Sequence, residues 1–106
     1  KDSIEEIINL YNIKKVVFFV SISNPDKCEA QKDYSTLVNV TKTKQILNFL
    51  IKKNIYFIFF SSEYVFDGKK GNYKENSKKK SNLLYGKQKI AVENYLRTKK
   101  KITLLF

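Results

Sequence analysis

Apolar positions along the chain follow two rhythms, and the two alternate. Ile4, Ile7, Ile8 and Tyr11 stand at i, i+3, i+4 and i+7 behind Asp2 and Ser3, either of which can cap a short helix running through Tyr11. Lys15 to Ile22 then reads as a strand, because Val16-Val17-Phe18-Phe19-Val20 is a continuous β-branched and aromatic run of the buried type. Ser23-Asn24-Pro25-Asp26 predicts a turn. From about Glu29 to Lys53 the spacing is helical, with Leu37, Val40, Ile46, Leu47, Phe49 and Leu50 on or near one stripe, and Lys53-Asn54 ends it. Ile55 to Phe60 is a second buried strand and Ser61 to Lys80 a long polar loop. Asn82 to Thr98 is a second long helix with Ala91, Val92, Tyr95 and Leu96 as its packing face, and Ile102 to Leu105 a third strand.

This order, strand-helix-strand-loop-helix-strand, predicts an α/β fold with a parallel sheet and right-handed crossovers. A length of 106 residues allows one domain at most. The chain opens at Lys1 without an initiator Met and closes on the apolar run Ile102-Thr103-Leu104-Leu105-Phe106, so it is expected to be an internal piece of a longer protein. There are no internal repeats, and the only low-complexity patches are Lys78-Lys79-Lys80 and Lys99-Lys100-Lys101.

Composition narrows the class. With 42% hydrophobic and 29% charged residues the chain can build a core and a soluble surface. No apolar run approaches the roughly 20 residues of a membrane helix, and no signal peptide is recognisable. A lone Cys28 excludes an internal disulfide and fits a reducing cytoplasm. The net charge of +11 could mark a nucleic-acid or anionic-membrane surface. The lysines, however, are spread from Lys1 to Lys101, Arg97 is the single arginine, and Lys, Asn, Ile, Phe and Tyr are the residues of A/T-rich codons. Base bias and solvated faces account for the charge, and neither a nucleic acid nor a membrane is expected as a partner.

Candidate chemistry lies where the second strand stops. Ile58-Phe59-Phe60 gives way to Ser61-Ser62, and the C-terminal edge of a parallel strand is where open α/β sheets bind ligands. Tyr85 and Lys89, four apart, share one helical face, where the ammonium can hold the phenol's pKa down for proton exchange near neutral pH, as a carbonyl-reducing site requires. Spacing alone proves little. Tyr11/Lys15, Tyr85/Lys89 and Tyr95/Lys99 all have it, while about one such pair is expected by chance in so lysine-rich a chain. The bland reading makes Tyr85 a half-buried anchor and Lys89 a solvated partner of Glu93.

The order of motifs adds what spacing lacks. Ser61-Ser62-Glu63-Tyr64-Val65-Phe66-Asp67-Gly68, then Tyr73-Lys74-Glu75, then Tyr85-Gly86-Lys87-Gln88-Lys89 with Glu93, preceded by Ser23 to Glu29 and Val38-Asn39-Val40-Thr41, resembles the extended short-chain dehydrogenase/reductase superfamily. The likeness is strongest to its dTDP-4-dehydrorhamnose reductase-like branch of sugar-nucleotide enzymes. That resemblance implies NAD(P)-dependent reduction of a 4-keto sugar nucleotide on a fragment of a Rossmann-like doubly wound parallel sheet, about three strands and two long helices of it. Tyr85 would be the general acid, Lys89 would lower its pKa and bind the nicotinamide ribose, and Ser62 would hydrogen-bond the reacting oxygen. Ser21 and Ser61 would lie on the cofactor side, Glu63, Tyr64 and Val65 with Ser62 near the sugar, and Asn39 would be structural or part of a proton relay.

The same resemblance implies NAD or NADP as cofactor, a sugar nucleotide as partner, a possible homodimer, and no metal. Departures limit it: Glu63 replaces the commoner Asp, Ser21-Ile22 an Ala-Ala-like pair, and Phe106 the Arg-Pro that usually follows. The only glycines are Gly68, Gly71 and Gly86, so the G-x-x-G-x-x-G phosphate turn is absent. Residues 1–106 are therefore expected to be the central to C-terminal part of one NAD(P)-binding domain, without its Gly-rich N-terminal βαβ or its substrate lobe, and inactive alone. An epimerase or dehydratase of the superfamily, a non-catalytic regulatory relative, and a basic nucleic-acid module stand as alternatives.

Overall fold

The computed structural model describes residues 2–61, 82–99 and 103–105. The first two strands are each entered through the same turn. Helix α1 (Asp2–Leu10) is followed by Asn12 at φ 53°, and α4 (Thr43–Lys52) by Asn54 at φ 56°, the left-handed conformation that asparagine tolerates. The Ile13 amide then donates to the Ile8 carbonyl at 3.1 Å and the Ile55 amide to the Leu50 carbonyl at 2.9 Å, the six-residue closure of a Schellman motif. Both isoleucines fold back onto the core, so each turn closes its helix and aims the next strand at once.

Strands β1 (Lys15–Phe18), β2 (Tyr56–Phe60) and β3 (Thr103–Leu105) form a parallel sheet in the order β1-β2-β3. Val16 pairs with Phe57, Phe18 with Phe59, and Phe60 with Leu105. The expected first strand ran on to Ile22, but pairing stops at Phe18. Beyond it Phe19 leaves the ladder and stacks on Phe60, ring centroids 4.7 Å apart, while the backbone of Ile22 bonds to the Asn39 side chain instead of a neighbouring strand.

Phe18, Phe57 and Phe59 meet Leu47 and Leu50 of α4 and Val92 and Leu96 of α5 (Leu84–Arg97) in the core. Burying each such side chain contributes roughly 1.5–3 kcal/mol. On the other face of the sheet Val17 and Tyr56 stay about half exposed, at 52% and 49%. Among the described residues no helix is long and apolar enough to cross a membrane.

The expected turn at Ser23 to Asp26 is instead a helix start. Asn24 Oδ1 accepts from the amides of Asp26 and Lys27 at 2.9 and 3.2 Å, and Pro25 takes the first helical position, where a missing N–H costs nothing. The long helix expected over 29–53 is also segmented. It comprises α2 (Pro25–Ala30), a break at Gln31, α3 (Lys32–Thr36), a π-helical segment (Leu37–Lys42) and then α4. The Thr43 hydroxyl donates to the Val38 carbonyl five residues back, at 2.8 Å, and so occupies an acceptor of the widened turn. The extra residue shifts the helical phase, so that Ser35, Asn39 and Thr43 are buried in line with Leu47 and Leu50.

Candidate active site

Helix α5 begins at a residue that cannot cap it, since Leu83 has no side-chain acceptor. Glu29 of α2 supplies one from outside: its Oε2 accepts from the Leu84 amide at 3.0 Å, a carboxylate at the positive end of the helix. The first turn of α5 is thereby tied to α2. The expected packing face of α5 holds at Val92 and Leu96, which are fully buried, with Ala91 and Tyr95 partly so. It continues toward the N-terminus through Glu93, Lys89, Gln88 and Tyr85, all buried.

Tyr85 and Lys89 stand one turn apart, each 6% exposed. The Lys89 ammonium donates to the Phe60 carbonyl, the last residue of β2, at 3.0 Å. It also lies 4.6 Å from the Phe59 ring centroid and 5.7 Å from that of Tyr85, within cation–π reach of both. The solvated Lys89 of the bland reading is therefore ruled out. Burial pushes its pKa down to about 8, against the pull of the Glu93 carboxylate, which favours the charged form.

Glu93 is fully buried one turn farther on. Its Oε2 accepts from the Ser61 hydroxyl, and the Arg97 guanidinium lies 3.7 Å from Oε1. Ser61, expected on the cofactor side, thus points its hydroxyl at α5 and ties the strand end to the helix. Ser62, Glu63, Tyr64 and Val65 lie outside the described residues. Glu93 entered the sequence reading as part of a motif and as a surface partner of Lys89, not as a buried group. Its place four after Lys89 and eight after Tyr85, on their shared face, was the available signal.

Asn39 sits at the centre of a second cluster. Its Oδ1 accepts from the Ile22 amide at 2.8 Å, while Nδ2 donates to the Ile22 carbonyl at 2.9 Å and to Gln88 Oε1 at 2.8 Å. Gln88 Nε2 donates in turn to the hydroxyls of Ser35 and Thr36 at 2.9 and 3.2 Å, and Ser35 donates to the Cys28 carbonyl at 3.1 Å. The Cys28 thiol donates to the Ile22 carbonyl at 3.2 Å, and burial pushes its pKa up, so the thiol stays neutral. Ser21, partly buried, precedes the clamped Ile22. Gln88 was missed by the sequence reading, although a polar residue on the packing face, three after Tyr85, was its trace. Among the described residues no group of acidic, cysteine or histidine side chains could hold a metal.

The model of the RmlD substrate binding domain family matches residues 1–106. The chain belongs to that family. A dTDP-4-dehydrorhamnose reductase of Aggregatibacter actinomycetemcomitans is 29% identical, the match covering 92% of this chain and 34% of that protein. The methionine adenosyltransferase 2 subunit beta of Xenopus tropicalis is 28% identical over 86% of this chain and 27% of its own. Among solved structures, a hypothetical dTDP-4-dehydrorhamnose reductase from Sulfolobus tokodaii superimposes with a TM-score of 0.78 at 28% identity, over 87% of this chain and 34% of that one. The Bacillus anthracis dTDP-4-dehydrorhamnose reductase, solved in complex with NADP, superimposes with a TM-score of 0.87 at 16% identity, over 97% of this chain and 38% of that one, a likeness of fold. This RmlD-family chain thus has the α/β, Rossmann-like fold of sugar-nucleotide reductases, and it spans about a quarter to a third of the length of the relatives it matches.

The donor set of the RmlD-family chain fits one end of a nicotinamide cofactor. An ammonium carries three protons, and Lys89 commits one to Phe60, which leaves donors for a pair of ribose hydroxyls beside Tyr85. The pyrophosphate is another matter, because glycines occur only at positions 68, 71 and 86 and cannot make a Gly-rich turn.

Proposed function

We propose that this chain carries the catalytic face of an NAD(P)-dependent oxidoreductase that reduces the 4-keto group of a sugar nucleotide. The observation that supports it is the burial of Tyr85 and Lys89 together against the C-terminal end of β2, with the ammonium on the Phe60 carbonyl. A nicotinamide held beside Tyr85 and Lys89 would supply the hydride for the carbonyl carbon. Tyr85 donates its phenolic proton to the carbonyl oxygen, and Lys89, charged below about pH 8, favours the phenolate left behind and holds the ribose. By resemblance, Ser62 is assigned to the same oxygen and Glu63, Tyr64 and Val65 to sugar binding.

In the complete gene product, Tyr85→Phe is expected to lower carbonyl reduction about a hundred- to ten-thousand-fold while NAD(P)H titrated by fluorescence still binds within about twofold. Unchanged turnover would remove the assignment. Stoichiometric consumption of NAD(P)H separates a reductase from an epimerase or dehydratase, in which the cofactor is restored each cycle.

A second reading, a non-catalytic relative that serves as a subunit of a larger assembly, draws on the match to a protein named as a subunit, methionine adenosyltransferase 2 subunit beta. Cofactor binding with no turnover of any 4-keto sugar nucleotide would select it.

A further inference from the structure

A buried glutamine on the catalytic face needs a reason. Gln88 is 3% exposed, directly before Lys89 and three residues after Tyr85. Its carboxamide is used at both ends: Oε1 accepts from Asn39, and Nε2 donates to Ser35 and Thr36. These bonds fix the amide's orientation, since the reverse placement would set N–H against N–H at Asn39. A network in which each member is satisfied rigidifies the elements it joins.

What it joins is the helix of Tyr85 and Lys89 to the segment past β1. Asn39 grips both the N–H and the C=O of Ile22, four residues beyond the last paired residue, Phe18. Residues beyond the C-terminal ends of parallel strands form the ligand crevice of an open α/β sheet. The π-helical segment that turns Asn39 inward is a second, independent sign, because such insertions into regular helices are frequent at functional sites. The rim at residues 21–22 and the pair Tyr85/Lys89 are therefore held to the same two amides.

We infer that Gln88 is a positioning residue: through Asn39 it sets the distance between the Tyr85–Lys89 face of α5 and the Ile22 rim, and with it the rate of the proton-and-hydride step. The kinetic half of this rests on the reductase reading above; the mechanical half does not. A misplacement of about 1 Å at such a site lowers rate up to a hundredfold without weakening ground-state binding.

The test uses the complete gene product with Gln88→Leu, Gln88→Glu and, as a control for lost stability, Leu47→Val in the core. Gln88→Leu is expected to lower kcat at least tenfold with KM for both reactants within about twofold. Gln88→Glu keeps an acceptor for Asn39 and can accept from the Thr36 hydroxyl while Ser35 keeps its bond to the Cys28 carbonyl, so it is expected to restore kcat to within about threefold. Leu47→Val is expected to lower the melting temperature and leave kcat alone. Hydrogen exchange supplies the readout that needs no activity: in Gln88→Leu the Ile22 amide is expected to exchange at least tenfold faster, with the Phe59 amide unchanged.

Unchanged kcat in Gln88→Leu, or an equal loss in Leu47→Val, overturns the kinetic role. An unchanged Ile22 exchange rate overturns the coupling. If the unmodified protein reduces no carbonyl, the reductase reading and the kinetic role fall together, and the Ile22 exchange rate still decides the coupling.

Discussion

Lys89 keeps a positive charge where water hardly reaches. Burial lowers its pKa to about 8 from an ordinary 10.5, with Glu93 pulling the other way. A base whose folded pKa is depressed costs stability below that pKa, because the unfolded chain binds the proton more tightly. Between about pH 8 and 10.5 the unfolded state holds the extra proton, so stability should rise with pH across that window, by up to about 1.4 kcal/mol per unit from this group. Urea denaturation at pH 8, 9 and 10 checks this: Lys89→Met should flatten the rise, and an equal slope in both proteins would sink the idea. Catalysis should run the opposite way, falling as Lys89 loses its proton above about pH 8. The Tyr85/Lys89 pair was visible in the sequence through the order of motifs around it. That both side chains are buried was not visible, because lysine is normally a surface residue and only the fold shows the strand carbonyl that accepts its hydrogen bond.

Whole elements were easiest to read where one pattern allowed one meaning. The runs Lys15 to Ile22 and Ile55 to Phe60 and the α5 periodicity gave strands and a helix whose ends lie within about four residues of those observed, the largest excess being at Ile22. Asn54 was legible as a helix stop, and its φ of 56° supports a direct test. Asn54→Ala should cost about 1 kcal/mol, because an ordinary Cβ is crowded in the left-handed region, whereas Asn54→Gly should be neutral or better. Urea midpoints of the two variants decide it, and equal midpoints would refute it. Ser23-Asn24-Pro25-Asp26 misled because the same residues that favour turns also cap helices, and only the partners of Asn24 separate the two. The π-helical segment was invisible for a different reason. What stabilises it is an inward asparagine whose partners lie 17 and 49 residues away, and no local period records them.

Across the whole molecule, the ties that assemble the site all span long stretches of chain. Ile22–Asn39 closes 17 residues, Asn39–Gln88 49, Ser35–Gln88 53 and Glu29–Leu84 55, whereas the turns that launch β1 and β2 close five. Closing a long loop costs chain entropy that is recovered only once both ends are in place, so local contacts form early and these ties late. The buried amides should therefore contribute little to the transition state for folding. In stopped-flow refolding, Gln88→Leu should speed unfolding several-fold and leave the folding rate within about twofold; a folding rate that fell by the full loss of stability would reverse that order. The clasp between α5 and the Ile22 rim then acts as a brake on opening: it governs how long an assembled site survives, not how quickly one is made.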